Sequence, residues 1–270
     1  MSNIIQTISS RDRSSLSLSD LRRSAPAAFA SNRFERTGGD YVFISTEQLV
    51  RALMDAGFHP TEARQRHSRG ERFGYARHMI RFRQAGECIR IVDCMPEIIL
   101  INSHDASSSY QLRGGLYRFV CANGLFLSLS EFGMIRVPHR GNVLAAVIEG
   151  AQQITKRMIG VRGTIERMTR TELEPSVQCA FAQRALELRY RGLEHFPFDP
   201  GRLLQARRAC DQGNDLWSVY NKVQENVIVG GIEGRTALGR RTVSRRINSI
   251  DEDLRLNLAL WQEAMALIKP

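Results

Sequence analysis

The residues best suited to chemistry lie close together between positions 96 and 142 of this 270-residue chain. His104 is followed by Asp105 and has serines on both sides, which supplies the residue types of a nucleophilic triad. Adjacent side chains rarely orient one another as a triad requires, and Asn, Ser, His and Asp are also residues that tight turns select. The turn interpretation is therefore favoured, and no catalytic residue is assigned.

A metal site is a second chemistry that this segment could offer. His104, Asp105 and His139 would supply two imidazoles and a carboxylate if neighbouring strands brought them together. Nothing in their spacing requires that arrangement. A metal-dependent hydrolase is therefore kept as an alternative, and no metal or other cofactor is predicted.

Arginines that alternate along predicted strands favour a binding surface. Residues 75–83 read Tyr-Ala-Arg-His-Met-Ile-Arg-Phe-Arg, so strand geometry places their arginines on one face. Arginines interleaved with aromatic residues are typical of surfaces that grip phosphates and stack unpaired bases. The predicted nucleic-acid-binding residues here, expected to share one exposed surface, are Arg77, Arg81, Arg83, Arg113, Arg118, Arg136 and Arg140, with Tyr110 and Tyr117 as stacking candidates. The alternative is that the aromatics form core and the arginines only solvate one sheet face.

A Gly/Arg loop is predicted at residues 230–246. Residues 235–246 of this loop contain five arginines and no acidic residue, which suits a flexible arm that grips phosphates or a disordered loop. Arg240 and Arg241 are the predicted nucleic-acid-binding residues of this loop.

Several enzyme classes lack their motifs. A Walker A loop needs Gly-Lys followed by Ser or Thr, but the three lysines follow Thr155, Asn221 and Ile268, and no G-x-G-x-x-G is present. A restriction-type nuclease would want Glu-x-Lys, whereas Glu97 is followed by two isoleucines. An enzyme is therefore not favoured.

Composition indicates a globular protein that attracts polyanions. The net charge is +10, and only three of the 38 cationic residues are lysines. Arginine binds phosphate bidentately and stacks on planar groups, although a GC-rich genome would give the same bias. The five cysteines form no C-x-x-C pair, which argues against a zinc ribbon or a disulfide framework. With no apolar run long enough to span a membrane and no signal peptide pattern, a cytoplasmic protein is predicted.

The pattern of elements predicts an α+β fold, in which an antiparallel β-meander packs on helices and a helical C-terminal region follows. Helices are predicted at 47–57, capped by Ser45 or Thr46, and from 143 to 159 or beyond, capped by Asn142. Further helices are predicted at 174–191, 202–224 and 249–267. The predicted divisions are a flexible basic arm (1–32), a β-rich core with one early helix (33–142), long helices packing on the sheet (143–195) and a helical C-terminal region (196–270).

Several stretches of the chain resemble one known family. They are Pro96-Glu-Ile-Ile-Leu-Ile-Asn-Ser-His-Asp105, Tyr117-Arg-Phe-Val-Cys-Ala-Asn-Gly124, Arg136-Val-Pro-His-Arg-Gly-Asn142, Val147-Ile-Glu-Gly150, Gln224-Glu-Asn226 with Gly230-Gly231, and Asn257-Leu-Ala-Leu-Trp261. Together they are similar to the prophage- and plasmid-borne family called domain of unknown function 932, over roughly residues 30–265. The resemblance implies a mobile-element context but no activity.

A more distant likeness concerns the fold alone. A basic β-meander followed by a long helix is similar to the core of recombinases that anneal single DNA strands without ATP and assemble as rings. The predicted function is therefore ATP-independent binding of nucleic acid, with single-stranded DNA and a homo-oligomer expected and no membrane partner. The alternatives are a protein-binding antagonist of a host defence system and the hydrolase.

Overall fold

The structure is a computed structural model that describes residues 7–9, 15–35, 43–84, 91–105, 108–119, 124–126, 134–137, 142–193 and 195–268. It has two compact units. The first comprises the described residues of Met1–Arg118 and Gly124–Gly160, and the second those of Phe119–Asn123 and Val161–Pro270. The predicted α+β fold, with an antiparallel meander followed by helices, is confirmed. The finer division of the chain into four parts stays a prediction.

The first unit is built on a seven-stranded antiparallel sheet within the described residues. Its elements in chain order are β1 (Thr7–Ser9), α1 (Leu18–Ser24), α2 (Thr46–Asp55), β2 (Phe58–Gln65), β3 (His78–Gln84), β4 (Cys94–Asn102), β5 (Tyr110–Arg118), β6 (Gly124–Phe126), β7 (Ile135–Val137) and α3 (Val143–Met158). Strands β1 to β5 pair in sequence order, and β6 and β7 pair with different halves of β5. The sheet is therefore a meander in which two short strands, β6 and β7, both pair with β5 at one edge.

Helix α3 packs closely on β5 because two glycines remove the side chains that would separate them. A Cβ atom on Gly114 would lie 2.7 Å from Met158 Sδ, and one on Gly150 would lie 2.9 Å from Leu112 Cδ1. Both distances are shorter than real Cβ contacts. The helix begins where predicted, since the side-chain oxygen of Asn142 accepts a hydrogen bond from the Ala145 amide at 3.2 Å.

Helix α2 is also confirmed, with Ser45 as its cap. The adjacent strand β2 was not predicted. Its sequence, Phe-His-Pro-Thr-Glu-Ala-Arg-Gln, contains a proline and two charged residues that a strand pattern does not favour. The strand accommodates Pro60 where its register with β3 shifts, between Pro60 and Glu62.

The second unit is helical apart from one hairpin. Its elements are α4 (Val161–Arg170), α5 (Pro175–Arg189), α6 (Pro200–Leu203), α7 (Leu216–Val229), β8 (Glu233–Arg235), β9 (Arg241–Val243) and α8 (Ile250–Ala266). The prediction of one helix over 202–224 is wrong, because Asp215 caps a new helix by accepting from the Ser218 amide at 3.0 Å. The predicted Gly/Arg loop contains the hairpin β8–β9.

Helix α7 is buried along almost its whole length, including its polar residues. Gln224 donates to the Asn257 side chain of α8 at 2.8 Å, and Asn257 donates to Asp253 at 2.7 Å. Asn226 donates to the carbonyls of Leu203 and Gln205, both at 2.9 Å. The C-terminal motifs around Gln224 and Asn257 thus satisfy buried polar groups inside the helical unit.

No helix in the part of the chain that the structure describes is both long enough and apolar enough to cross a membrane.

A buried polar cluster fixes the start of α2 against the sheet. Thr46 Oγ1 lies 2.9 Å from His78 Nε2 and 3.1 Å from His104 Nε2, and it accepts from the Asn102 amide at 3.1 Å. All four side chains are fully buried. His78 Nδ1 lies 3.0 Å from the Ala76 carbonyl, which can only accept, so this nitrogen carries the proton. Neutral His78 therefore accepts from the Thr46 hydroxyl through Nε2.

This cluster should make stability depend on pH. Burial lowers the pKa of His78 from 6.5 to about 4, so the folded state resists a proton that the unfolded chain accepts. As the pH falls from about 6.5 to about 4, His78 should therefore cost the folded state up to about 3 kcal/mol, whereas above pH 6.5 it costs nothing. Urea denaturation across this pH range measures the loss. His78→Gln should be less stable at neutral pH but should lose less stability on acidification, and an equal loss in both proteins would contradict this account.

Candidate anion-binding surface

The sheet has one face covered by α3 and an opposite face that carries four of the nine predicted arginines. Arg81 of β3, Ile99 of β4 and Arg113 of β5 are directly paired, so their side chains share one face. Gly114, next to Arg113, lies under α3, which places Arg113 on the other side. We call this side the charged face; its charged residues are Glu62, Arg64, Arg81, Arg83, Glu97, Arg113 and Arg136.

Two buried carboxylates hold the arginines of β2 and β3. Glu97 accepts from Arg81 Nη1 at 2.8 Å and from Arg83 Nε at 2.9 Å. Glu62 lies 3.2 Å from Arg81 Nε and also pairs with Arg64. Arg81 is only 1% exposed. The expectation that Arg81 lies on an exposed surface is wrong, because its charge is used to neutralise the two carboxylates inside the protein.

Arg118 and the two predicted stacking residues are also inside. Arg118 is 2% exposed and pairs with Asp93, so its expected exposure is wrong as well. Tyr110 is fully buried and donates its hydroxyl proton to the Ile44 carbonyl. Tyr117 is 8% exposed, and the Arg83 guanidinium lies 3.5 Å from its ring centroid. The rings of Tyr110 and Tyr117 thus contribute to the interior rather than to an open platform.

Three of the predicted arginines lie near one another, since the charges of Arg77 and Arg136 both act on Arg113. Arg77 precedes β3, Arg113 lies on β5 and Arg136 on β7; we call them the Arg113 cluster. Arg113 donates to the Gln111 side chain at 3.3 Å and contacts Met134 Sδ at 2.9 Å. Among the described residues, no carboxylate lies within ion-pair distance of Arg113 or Arg136.

The environment of Arg113 is unfavourable for its positive charge. Burial lowers its pKa, and the charges of Arg77 and then Arg136 lower it further. A guanidinium in this position gains from any anion that replaces lost hydration and offsets its cationic neighbours. The cluster has the chemistry of an anion-binding surface, and phosphate oxygens match the planar donors of arginine.

The remaining predicted residues lie elsewhere. Arg140 and His139 are outside the described residues. Arg240 and Arg241 lie on the exposed hairpin β8–β9 of the second unit. His104 belongs to the buried cluster around Thr46, and no group of three metal-ligating side chains occurs within the described ranges. Because His139 lies outside the described residues, the metal-dependent hydrolase stays an alternative that the structure does not test.

Sequence reasoning missed the acids that pair with the arginines. Glu97 interrupts the run Cys-Met-Pro-Glu-Ile-Ile-Leu-Ile-Asn that forms β4, and a lone acid in an apolar strand indicates a buried ion pair. Its partners follow only from the register of β3 with β4.

Glu97 should be a strong determinant of stability. Replacing it in Glu97→Gln leaves Arg81 buried beside an uncharged amide, which should lower the free energy of unfolding by about 3–5 kcal/mol. Glu47→Gln is the matched control, because Glu47 pairs with the exposed Arg22 and Arg51 and its loss should cost about 1 kcal/mol or less. Urea denaturation of both variants checks this, and equal losses would contradict it.

Known proteins match this chain over most of its length. The family model described as domain of unknown function (DUF932) matches residues 34–261. Two curated proteins of Escherichia coli (strain K12), the UPF0380 proteins YfjQ and YafZ, are each 41% identical over 259 residues, which covers 96% of this chain and 93% of each relative. No solved structure matches the chain, so the likeness to annealing recombinases gains no support from solved folds. By its match to the family model and to these relatives, the chain belongs to the DUF932 family.

Proposed function

We propose that this protein binds nucleic acid through backbone phosphates, without ATP, at the Arg113 cluster. The observation that carries the proposal is the half-buried Arg113, which lies near two further arginines and has no carboxylate partner among the described residues. Phosphate would supply the missing negative charge. Bidentate hydrogen bonds from guanidinium groups to phosphate oxygens would fix the strand on the surface.

The charge and motifs of the chain favour a binding protein over an ATP-driven enzyme. Its net charge of +10 attracts polyanions over a distance, and it lacks a Walker A sequence. A mobile-element context is the part of the proposal that rests on the family resemblance. Single-stranded DNA and a homo-oligomer rest on the more distant likeness to annealing recombinases, which no solved structure supports. Base stacking by Tyr110 and Tyr117 is not part of it, because both rings are buried.

The test is the salt dependence of DNA binding by the Arg113 cluster. Fluorescence anisotropy of single- and double-stranded oligonucleotides of equal length should show affinity that falls steeply with salt. Arg113→Gln with Arg136→Gln should weaken single-strand binding about tenfold and reduce the slope of log affinity against log salt by about 1 to 1.5, as expected for two lost phosphate contacts.

The control removes the same charge elsewhere in the first unit. Arg22 and Arg51 are exposed and already paired with Glu47, so Arg22→Gln with Arg51→Gln should change the affinity about twofold or less. If the control loses as much as the cluster variant, net charge rather than the cluster causes binding. Absence of DNA binding at low salt would overturn the proposal and favour docking of an acidic protein, as expected for an antagonist of a host defence system.

A further inference from the structure

The hairpin β8–β9 of the second unit has one anchored face and one open face. A Cβ atom on Gly234 would lie 1.9 Å from the Pro197 carbonyl oxygen and 2.6 Å from the Phe198 ring. The Arg235 amide donates to the same carbonyl at 2.7 Å. Only glycine permits this approach, so the face of Gly234 and Thr242 is held against residues 197–198. The side chains of the alternate residues lie on the opposite face.

The open face places two arginines directly opposite each other. Arg235 pairs with Arg241 and Glu233 pairs with Val243 across the hairpin, and all four residues are exposed. Arg202 of α6 joins them around a shallow pocket of about 330 Å³. The Arg235 guanidinium is oriented by a hydrogen bond to the Gly239 carbonyl at 3.0 Å.

This arrangement costs stability unless something compensates it. Like charges directly opposite each other on paired strands repel. In the part of the chain that the structure describes, no carboxylate lies within ion-pair distance of Arg202, Arg235 or Arg241, although Glu233 lines the same pocket. Three guanidinium groups and one carboxylate give the pocket a net charge of +2, which matches the dianion of a phosphate monoester better than the single charge of a phosphodiester.

We propose that this pocket binds the phosphate monoester of a nucleotide. Arg235 and Arg241 would donate hydrogen bonds to the phosphate oxygens, and Arg202 would supply the third positive charge. Val243, which is 55% exposed in the pocket, and Leu238, which is 81% exposed at the hairpin tip, offer apolar contact to sugar and base. The monoester is either the 5′-phosphate end of a DNA strand, which rests on the proposed function, or a free mononucleotide.

Two pairs of ligands distinguish binding of a strand end from binding of a free mononucleotide. Anisotropy compares a 5′-phosphorylated oligonucleotide with the same oligonucleotide bearing a 5′-hydroxyl, and calorimetry compares AMP with adenosine. A strand-end site predicts about tenfold tighter binding of the phosphorylated oligonucleotide, as expected for charge-assisted hydrogen bonds. Binding of AMP with no advantage of the phosphorylated strand assigns the pocket to free mononucleotides. Failure of the 5′-hydroxyl oligonucleotide to bind would overturn the proposed function but not the pocket.

Variants of the pocket test whether it binds the phosphate monoester. Arg235→Gln with Arg241→Gln should abolish the preference for the phosphate-bearing ligand, measured as the ratio of the affinities for the phosphate and hydroxyl forms of the same ligand. Glu233→Gln raises the pocket charge and should strengthen phosphate binding several-fold, a gain that misfolding cannot produce. Arg167→Gln with Arg170→Gln removes two exposed arginines of α4 and should retain the preference. The proposal is overturned if neither phosphate-bearing ligand is preferred, or if the preference survives in the Arg235/Arg241 variant.

Discussion

Glu97 lies on β4 with its carboxylate fully buried, and Arg81 and Arg83 of the neighbouring strand converge on its two oxygens. An ionised carboxylate in the interior is tolerated only when it is paired and hydrogen bonded. Arg81 also binds Glu62, so the network links β2, β3 and β4. A slip of one residue in register would turn Glu97 towards the face that packs on α3. The ion pairs therefore fix the register on which the whole charged face depends.

The same register leaves the far side of the sheet with uncompensated positive charge. Arg113 is paired across the strands with Ile99, and Arg136 with Gln111, so neither has an acid directly opposite. The carboxylate of Glu97 is two residues away from Ile99 and is already shared by Arg81 and Arg83. The charged face thus divides into a neutralised half that stabilises the sheet and a cationic half, where the proposed anion would bind.

Local signals in the sequence predicted much of the fold but little of this division. Asn142 and Ser45 identify helix starts because a cap acts on its own first turn. Alternation placed Arg77, Arg81 and Arg83 on one face, but alternation does not show which side chains are covered. The partners of Arg81 come from two other strands, and only tertiary pairing brings them together. Strand β2 was not predicted because its charged residues, Glu62 and Arg64, belong to the same ion-pair network as Arg81.

The placement of the arginines carries more information than their number. A bias in genome composition would account for exposed arginines that form ordinary helix ion pairs, as Arg51 does with Glu47 and Arg184 with Glu187. It does not account for arginines placed next to each other on paired strands, where repulsion costs stability. Arg113 lies near Arg77 and Arg136, and Arg235 lies directly opposite Arg241. In both units these arginines lie on or next to paired strands. Such placement is unfavourable in the free protein and would become favourable with a phosphate between the guanidinium groups, which is why a ligand is proposed at both places.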